Sequence, residues 1–500
     1  MATHYSTCLA FLLVAFTVPV QAEEPAKTVD ESKPNIVFIA IDDMNDWVGF
    51  LKGHPQAKTP NMDRLARRSV NFSNAHCVSP ACSPSRLALL YGVQPFHSGL
   101  YPFYNHEKIP TETLQAYTSL QTLFRKNGYR TYGSGKIFHG YKDKGDHWDD
   151  YHQPKGAKLK YDASAGYQIG KSNKMAFCPT TNPLEDHPDY QVANYGIDVI
   201  NQKHEQPYFV AVGIVKPHLP FVCPKQFFDM QDETIETPPI RYRDLADIPM
   251  AGRSNAKLSD DLKFRTDQAW GRVRRAYLAC NSWVDYNVGR VVEAVEKSDA
   301  ADNTIIVLWS DHGYHFGEKR SFRKFSLWEE ATRVPFLIYD PRPGRQTAGE
   351  CTEAVSLIHI YKTLAELADV EVPDYVDGVS LTPQLKDPTQ SVNLPAITTW
   401  GRGNFTVRGD RYRYTRYFDG SEELYDHQKD LMEWENLAGD AKLSKVKTRL
   451  GGFLPSNPAP LVRGGIGLWN VIDADRPEAL KNFTSQTWPK MKAKLKPKIE

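Results

Sequence analysis

Four continuous apolar runs, each ending in residues that carry chemistry, constrain this chain more than any other feature. Residues 35–41 (NIVFIAI) run into Asp42-Asp43, and residues 304–310 (TIIVLWS) run into Asp311-His312-Gly313. Residues 208–215 (YFVAVGIV) lead to Lys216-Pro217-His218, and residues 129–135 precede Lys136 and His139. Apolar runs without alternation mark strands buried on both faces, which requires helices above and below the sheet. In open α/β sheets, ligands bind beyond the carboxyl ends of the strands, so the four loops are expected to converge on one crevice.

Five hundred residues with 41% hydrophobic content exceed one average domain. The expected architecture is a large mixed α/β sandwich over residues 33–397, followed by a smaller α+β subdomain over 398–500. A helix from about residue 265 to 297, marked by Tyr277, Trp283, Val284, Val288, Val291, Val292 and Val295, should cover the sheet. The stretch 408–417 (RGDRYRYTRY), with Trp400 and Arg402 before it, reads as antiparallel strands of the smaller part. No internal repeat is visible.

The formal net charge of +1 argues against a nucleic-acid-coating protein but leaves room for a local cationic pocket. Residues 9–20 (LAFLLVAFTVPV) are apolar, short for a bilayer span, and end in Val20-Gln21-Ala22 before two glutamates. The reading is a signal peptide over 1–22, a charged linker over 23–32, and an exported protein with no membrane span. The destination is the periplasm, the medium or a lysosome-like compartment. Of seven cysteines, Cys8 leaves with the signal; one or two disulfides are expected among Cys77, Cys178, Cys223, Cys280 and Cys351, with at least one of the five unpaired.

Cys82-Ser83-Pro84-Ser85-Arg86 stands apart. Pro84 suits the first turn of a helix, and Arg86-Leu87-Ala88-Leu89-Leu90 continues one. Cys82 would then sit at a helix N-terminus, where free N–H groups and the dipole favour a developing anion. Asp42, Asp43 and Asp311 supply three carboxylates, a donor set suited to a hard divalent cation.

Taken together, Asp42-Asp43, Cys82-x-Pro84-x-Arg86, Gly135-Lys136-x-x-His139, Lys216-Pro217-His218, and Ser310-Asp311-His312-Gly313 with Lys324 resemble the type I sulfatases of the alkaline phosphatase superfamily. The chain looks most similar to the iduronate-2-sulfatase group. Leu424-Tyr425-Asp426 and Asn436-Leu437-Ala438 extend the likeness to about residue 438. The resemblance implies an alkaline-phosphatase-like fold and a Cys82 oxidised to formylglycine by a maturation enzyme. It also implies one divalent cation, calcium with magnesium as the alternative, on Asp42, Asp43, residue 82, Asp311 and His312.

In that family scheme a hydroxyl of the hydrated aldehyde, kept deprotonated by the metal and Arg86, attacks sulfur. Lys136 and Lys324 hold sulfate oxygens, His218 or Lys324 protonates the leaving alcohol, and His139 takes the proton that releases sulfate. Two departures stand out: Tyr91 precedes Gly92 where Thr is common, and Leu431 replaces a usual proline.

Two segments bear on the substrate. Residues 101–106 (YPFYNH), with His97 upstream, can line a sugar pocket or form an ordinary packed loop. Residues 317–324 carry four cations, Lys319, Arg320, Arg323 and Lys324, that would either face solvent or receive a polyanionic glycan. Three functions remain open: an exported carbohydrate sulfatase acting on a sulfated sugar such as a uronate 2-O-sulfate, a phosphodiesterase or phosphonate hydrolase of the same superfamily, or a non-catalytic glycan-binding relative.

Overall fold

The computed structural model describes residue 1 and residues 33–105, 109–139, 147–155, 157–169, 175–465 and 471–494. The proposed signal peptide after Met1 and the whole of the linker lie outside these, as does His106. Residues Pro34–Glu500 form one compact unit.

An eight-stranded sheet is its centre. In chain order the strands are β1 Asn35–Asp42, β2 Val70–Phe72, β3 Arg130–Gly135, β4 Asp150–His152, β5 Tyr208–Pro217, β6 Thr304–Ser310, β7 Phe336–Tyr339 and β8 Gly349–Cys351. Their spatial order is β8-β2-β7-β6-β1-β5-β3-β4. β7 runs antiparallel to both neighbours, whereas β1 pairs in parallel with β6 and β5, and β3 in parallel with β5 and β4.

The apolar runs explain the layering. Along β1, Ile36, Phe38 and Ala40 enter one core while Val37, Ile39 and Ile41 enter the other, and all six are fully buried. Burying a side chain of this size stabilises by about 1.5–3 kcal/mol. Helices α1 Pro60–Ala66, α2 Cys82–Tyr91, α3 Pro188–Ile200, α4 Leu258–Thr266, α5 Trp270–Lys297 and α6 His359–Leu367 include those that pack on the two faces. Val284, Val288, Val291, Val292 and Val295 of α5 cover the face of Val37, while Leu87, Leu89 and Leu90 of α2 join the core of Phe38.

The helix expected over 265–297 is two helices. Arg265 belongs to α4, and Gln268 at φ 50° breaks the chain before α5 begins at Trp270. No disulfide occurs among the described residues. Cys77, Cys82, Cys178, Cys223, Cys280 and Cys351 are all free and buried, and all but Cys82 behave as small apolar side chains.

A second sheet of four antiparallel strands, β9 Ala396–Thr399, β10 Phe405–Arg408, β11 Tyr412–Arg416 and β12 Glu422–Asp426, contains the predicted Arg/Tyr stretch. Arg413 of β11 is fully buried, pairing with Glu433 at 2.6 Å and with Glu329. Glu433 also meets His427 at 2.9 Å. Replacing Arg413 by Met removes the buried cation that Glu433 and Glu329 share, so stability should fall by about 3–5 kcal/mol, read by denaturant melts.

Buried histidines make the fold acid-sensitive. Burial pushes His315 down to about 3 and His359 down to about 4. Both stay neutral when folded, whereas in the unfolded chain each takes up a proton below about 6.5. Their contribution is therefore complete above that value and lost as pH falls, by about 2 kcal/mol each between pH 7 and 5. Urea midpoints measured across this window should drop steadily.

Candidate active site

The carboxyl ends of β1, β3, β5 and β6 bring the expected residues together. Consecutive strand residues point to opposite faces, yet Asp42 and Asp43 share one site. The β1–β5 register shifts between Ile41 and Asp42, and Asp43 takes φ 65°, turning both carboxylates inward. Ser310 Oγ accepts from Met44 N at 3.0 Å, and the Asp311 carboxylate accepts from Asp43 N at 3.1 Å. Tyr277 donates to the Asp43 carbonyl at 2.8 Å.

Cys82 is the first residue of α2, which is buried along its whole length and closed by Gly92 at φ 70°. Its Sγ lies 3.2 Å from His312 Nε2, 3.3 Å from Lys324 Nζ and 3.9 Å from Asp43 Oδ1. Burial and the neighbouring Asp42 charge push the thiol well up, so an unmodified cysteine there stays protonated.

Arg86, one turn along α2, is the strut of the site. Its Nε donates to Asp311 Oδ2 at 2.7 Å, Nη1 to the carbonyls of Lys136 and Ile137 at 2.5 and 3.1 Å, and Nη2 to that of Ile41 at 3.3 Å. Ser85 Oγ adds a bond to the Asp311 carbonyl at 2.7 Å. The loops after β1, β3 and β6 are thereby fixed by one helical turn.

The remaining cations sit on the aspartates. Lys136 Nζ meets Asp42 Oδ2 at 2.5 Å, and Lys324 Nζ meets Asp43 Oδ1 at 2.5 Å. Burial pulls both carboxyls upward, but Lys136 at Asp42 and Lys324 at Asp43, with His218 beside both, hold them below the usual range. Asp311 is raised, since burial there outweighs Arg86.

The histidines have defined tautomers, because a carbonyl only accepts. His312 Nδ1 donates to Gly313 O at 3.1 Å, leaving the Nε2 lone pair facing Cys82, Asp43 and Asp311. His218 Nδ1 donates to Leu219 O at 2.7 Å, with Nε2 at 4.0 Å from Asp43. Burial takes His218 down to about 4; His139 goes to about 3 through burial and the Lys136 charge. His139 lies edge-on to Phe103, ring centres 5.1 Å apart.

Asp42, Asp43, Cys82 and His312 each offer a ligand atom, all within 4.8 Å of one another, and can hold a metal ion. Asp42 Oδ1 is buried without a hydrogen bond, with Arg86 Nη2 at 3.6 Å. An orphaned carboxylate oxygen in such a cluster fits a hard divalent cation. Asp311 stands beside the four, with its oxygens engaged by Arg86 and the Asp43 amide.

The cationic run is neither a solvated face nor a free glycan cradle. Lys319 pairs with Asp244 at 2.7 Å, Arg320 with Asp261 at 2.8 Å and Arg323 with Asp260 at 2.7 Å, besides Lys324 with Asp43. In the 101–106 loop, Tyr101 and Tyr104 are buried and donate to the carbonyls of Ala459 and Val462. His97 pairs with Asp377 at 2.9 Å. Tyr277, Ser85 and Ser310 escaped the sequence reading as site residues. Tyr277 was visible only as one of many apolar helix positions.

The family described as Sulfatase matches residues 34–370. This chain belongs to the sulfatase family. A second family, described as N-sulphoglucosamine sulphohydrolase, C-terminal, matches residues 317–456 of the sulfatase. A protein of Formosa agariphila named sulfatase is 36% identical over 483 residues, covering 92% of this chain and 93% of its own. The iduronate 2-sulfatase of Mus musculus is 29% identical over 412 residues, covering 73% and 74%. A solved 2-O GAG sulfatase superposes with a TM-score of 0.66 at 23% identity, over 84% of this sulfatase and 91% of that chain. The sulfatase is thus a sulfuric ester hydrolase on a large mixed α/β sheet.

Proposed function

We propose that this sulfatase is exported and hydrolyses a sulfate monoester of a carbohydrate, with uronate 2-O-sulfate as the first substrate class to test. Residue 82 is read as a formylglycine made from Cys82 by a maturation enzyme. Asp42, Asp43, Asp311 and His312 would join it in holding one divalent cation, calcium first and magnesium as the alternative. The observation that carries this reading is the convergence on Cys82 of two carboxylates, His312 and two lysines in one buried cluster. The bound cation would supply charge neutralisation at the sulfate oxygens.

The protein's own groups supply the rest. Lys136 and Lys324, held as ammonium ions by Asp42 and Asp43, can turn to sulfate oxygens when an anion enters. Each such bond to a charged group contributes about 1.5–3 kcal/mol. Lys324 and His218 are the candidates for protonating the leaving oxygen: Lys324 already holds its proton as an ammonium, whereas His218, neutral with its proton on Nδ1, would first have to take one up at Nε2. Neutral His139 is free to accept a proton at Nδ1, which is buried and makes no hydrogen bond. Arg86 keeps the acids in place.

Relatives support the sugar assignment through their names, iduronate 2-sulfatase and 2-O GAG sulfatase. Export rests on the apolar 9–20 segment, and no described helix is long and apolar enough to cross a membrane.

Mass spectrometry of the Cys82 peptide, from protein made with and without a formylglycine-generating enzyme, tests the proposal. The aldehyde or its hydrate should appear only with the enzyme, and sulfate ester turnover with it. An unmodified thiol in an active protein would sink the formylglycine reading. Parallel rates on an aryl sulfate and an aryl phosphodiester test the chemistry; cleavage of the diester alone would refute the sulfate assignment.

A further inference from the structure

Around the site, Arg86, Lys136, Arg320, Arg323 and Lys324 each rest on a carboxylate. Lys257 does not. Its ammonium has no acid within ion-pair distance among the described residues, and Asp260, the acid that reaches it electrostatically, is held by Arg323 at 2.7 Å. Burial and the Arg323 charge push Lys257 down to about 8. A half-buried cation without a partner is costly unless something else compensates it.

What it does touch is an aromatic wall. Lys257 Nζ lies 5.4 Å from the centre of the Phe325 ring, and Lys324 Nζ lies 5.6 Å from the same ring. Phe325 stacks on Trp400 at 5.4 Å and meets the edge of Phe103 at 6.0 Å. Phe103 in turn abuts His139 at 5.1 Å. The wall therefore runs unbroken from the reacting cluster to Lys257. Phe103 and Phe325 remain only partly buried, whereas Trp400 behind them is nearly closed off.

Phe325 holds φ 79°, a left-handed conformation costly for a large side chain. Its amide is tied to the Pro80 carbonyl at 3.1 Å, and the Lys257 amide to Ser321 Oγ at 3.0 Å. Both ends of the arrangement are thus fixed by the backbone. An apolar ring face beside a charge suits a sugar ring that carries an anion.

Resting on the carbohydrate reading above, we propose that Phe103 and Phe325 form the platform for the sugar bearing the scissile sulfate, and that Lys257 binds a second anionic group of that sugar, a uronate carboxylate. The enzyme would then select acidic sugars over neutral ones through one ammonium group outside the reacting cluster.

The test compares wild type, Lys257→Met and Lys257→Arg on a 2-O-sulfated uronate disaccharide, its uronate methyl ester, and an aryl sulfate. Wild type should prefer the acid to the ester by about ten- to a hundredfold in kcat/KM, the scale of one charged hydrogen bond. Lys257→Met should bring that ratio close to one, and Lys257→Arg should restore most of it. An unchanged ratio in Lys257→Met, or a wild type indifferent to esterification, overturns the assignment. So does a wild type that cleaves the aryl sulfate but neither disaccharide. That last outcome overturns the uronate reading as well, whereas an unchanged ratio on disaccharides that are cleaved overturns the Lys257 assignment alone, which separates the two failures.

Discussion

Replacing Cys82 by Ala should cut sulfate ester turnover by about 10⁵- to 10⁶-fold, the scale for deleting a covalent nucleophile. The fold should persist. Cys82 contributes one sulfur to a cluster of charged groups, and its loss removes little packing, about 1 kcal/mol at most. Lys324 and His312 would keep their contacts with Asp43, at 2.5 and 3.3 Å. Steady-state kinetics together with a thermal melt decide the matter: near-normal turnover in the variant would remove residue 82 from the chemistry, and a collapsed melt would show a structural role instead.

Asp42→Asn should have the next largest effect, on metal and stability together. Asp42 neutralises Lys136 at 2.5 Å and faces Arg86 at 3.6 Å, all in a fully buried setting. Removing its charge takes the carboxylate from Lys136 and leaves Arg86 with Asp311 alone. We expect the affinity for a divalent metal to fall by about tenfold or more, read as metal lost from the purified protein in elemental analysis. Stability should fall by about 3–5 kcal/mol, as for breaking a buried ion pair. Full metal content in the Asp42→Asn variant would take this carboxylate out of the ligand set.

Much of this was legible because the sheet is buried on both faces. A strand that cannot show a polar face writes an unbroken apolar run, and its first polar residues mark the loop at its end. That is why the sequence alone puts Asp42, Lys136, His218 and Asp311 at one edge of the sheet. The break at Gln268 left no comparable mark, since neither glycine nor proline signals it. The fate of the 319–324 cations was also hidden. Their acids, Asp244, Asp260 and Asp261, lie some sixty to eighty residues earlier, and a charge run looks the same whether solvated or paired. Cysteine pairing was illegible for a related reason: a buried thiol and half a disulfide have identical local sequence.

Burial of the Cys82 segment imposes an order of events on the proposed maturation. Cys82 is 1% exposed, and every residue from Cys82 to Tyr91 is enclosed by the finished sheet and its covering helices. A second protein that must grip Cys82-Ser83-Pro84-Ser85-Arg86 and oxidise its sulfur has no access once Arg86 has closed on Asp311 and the strand ends. The proposed conversion therefore has to precede folding. Chains that fold first would be locked out of maturation, compact and inert, so the active fraction of a preparation would be set by a race at synthesis rather than by later treatment of the folded protein.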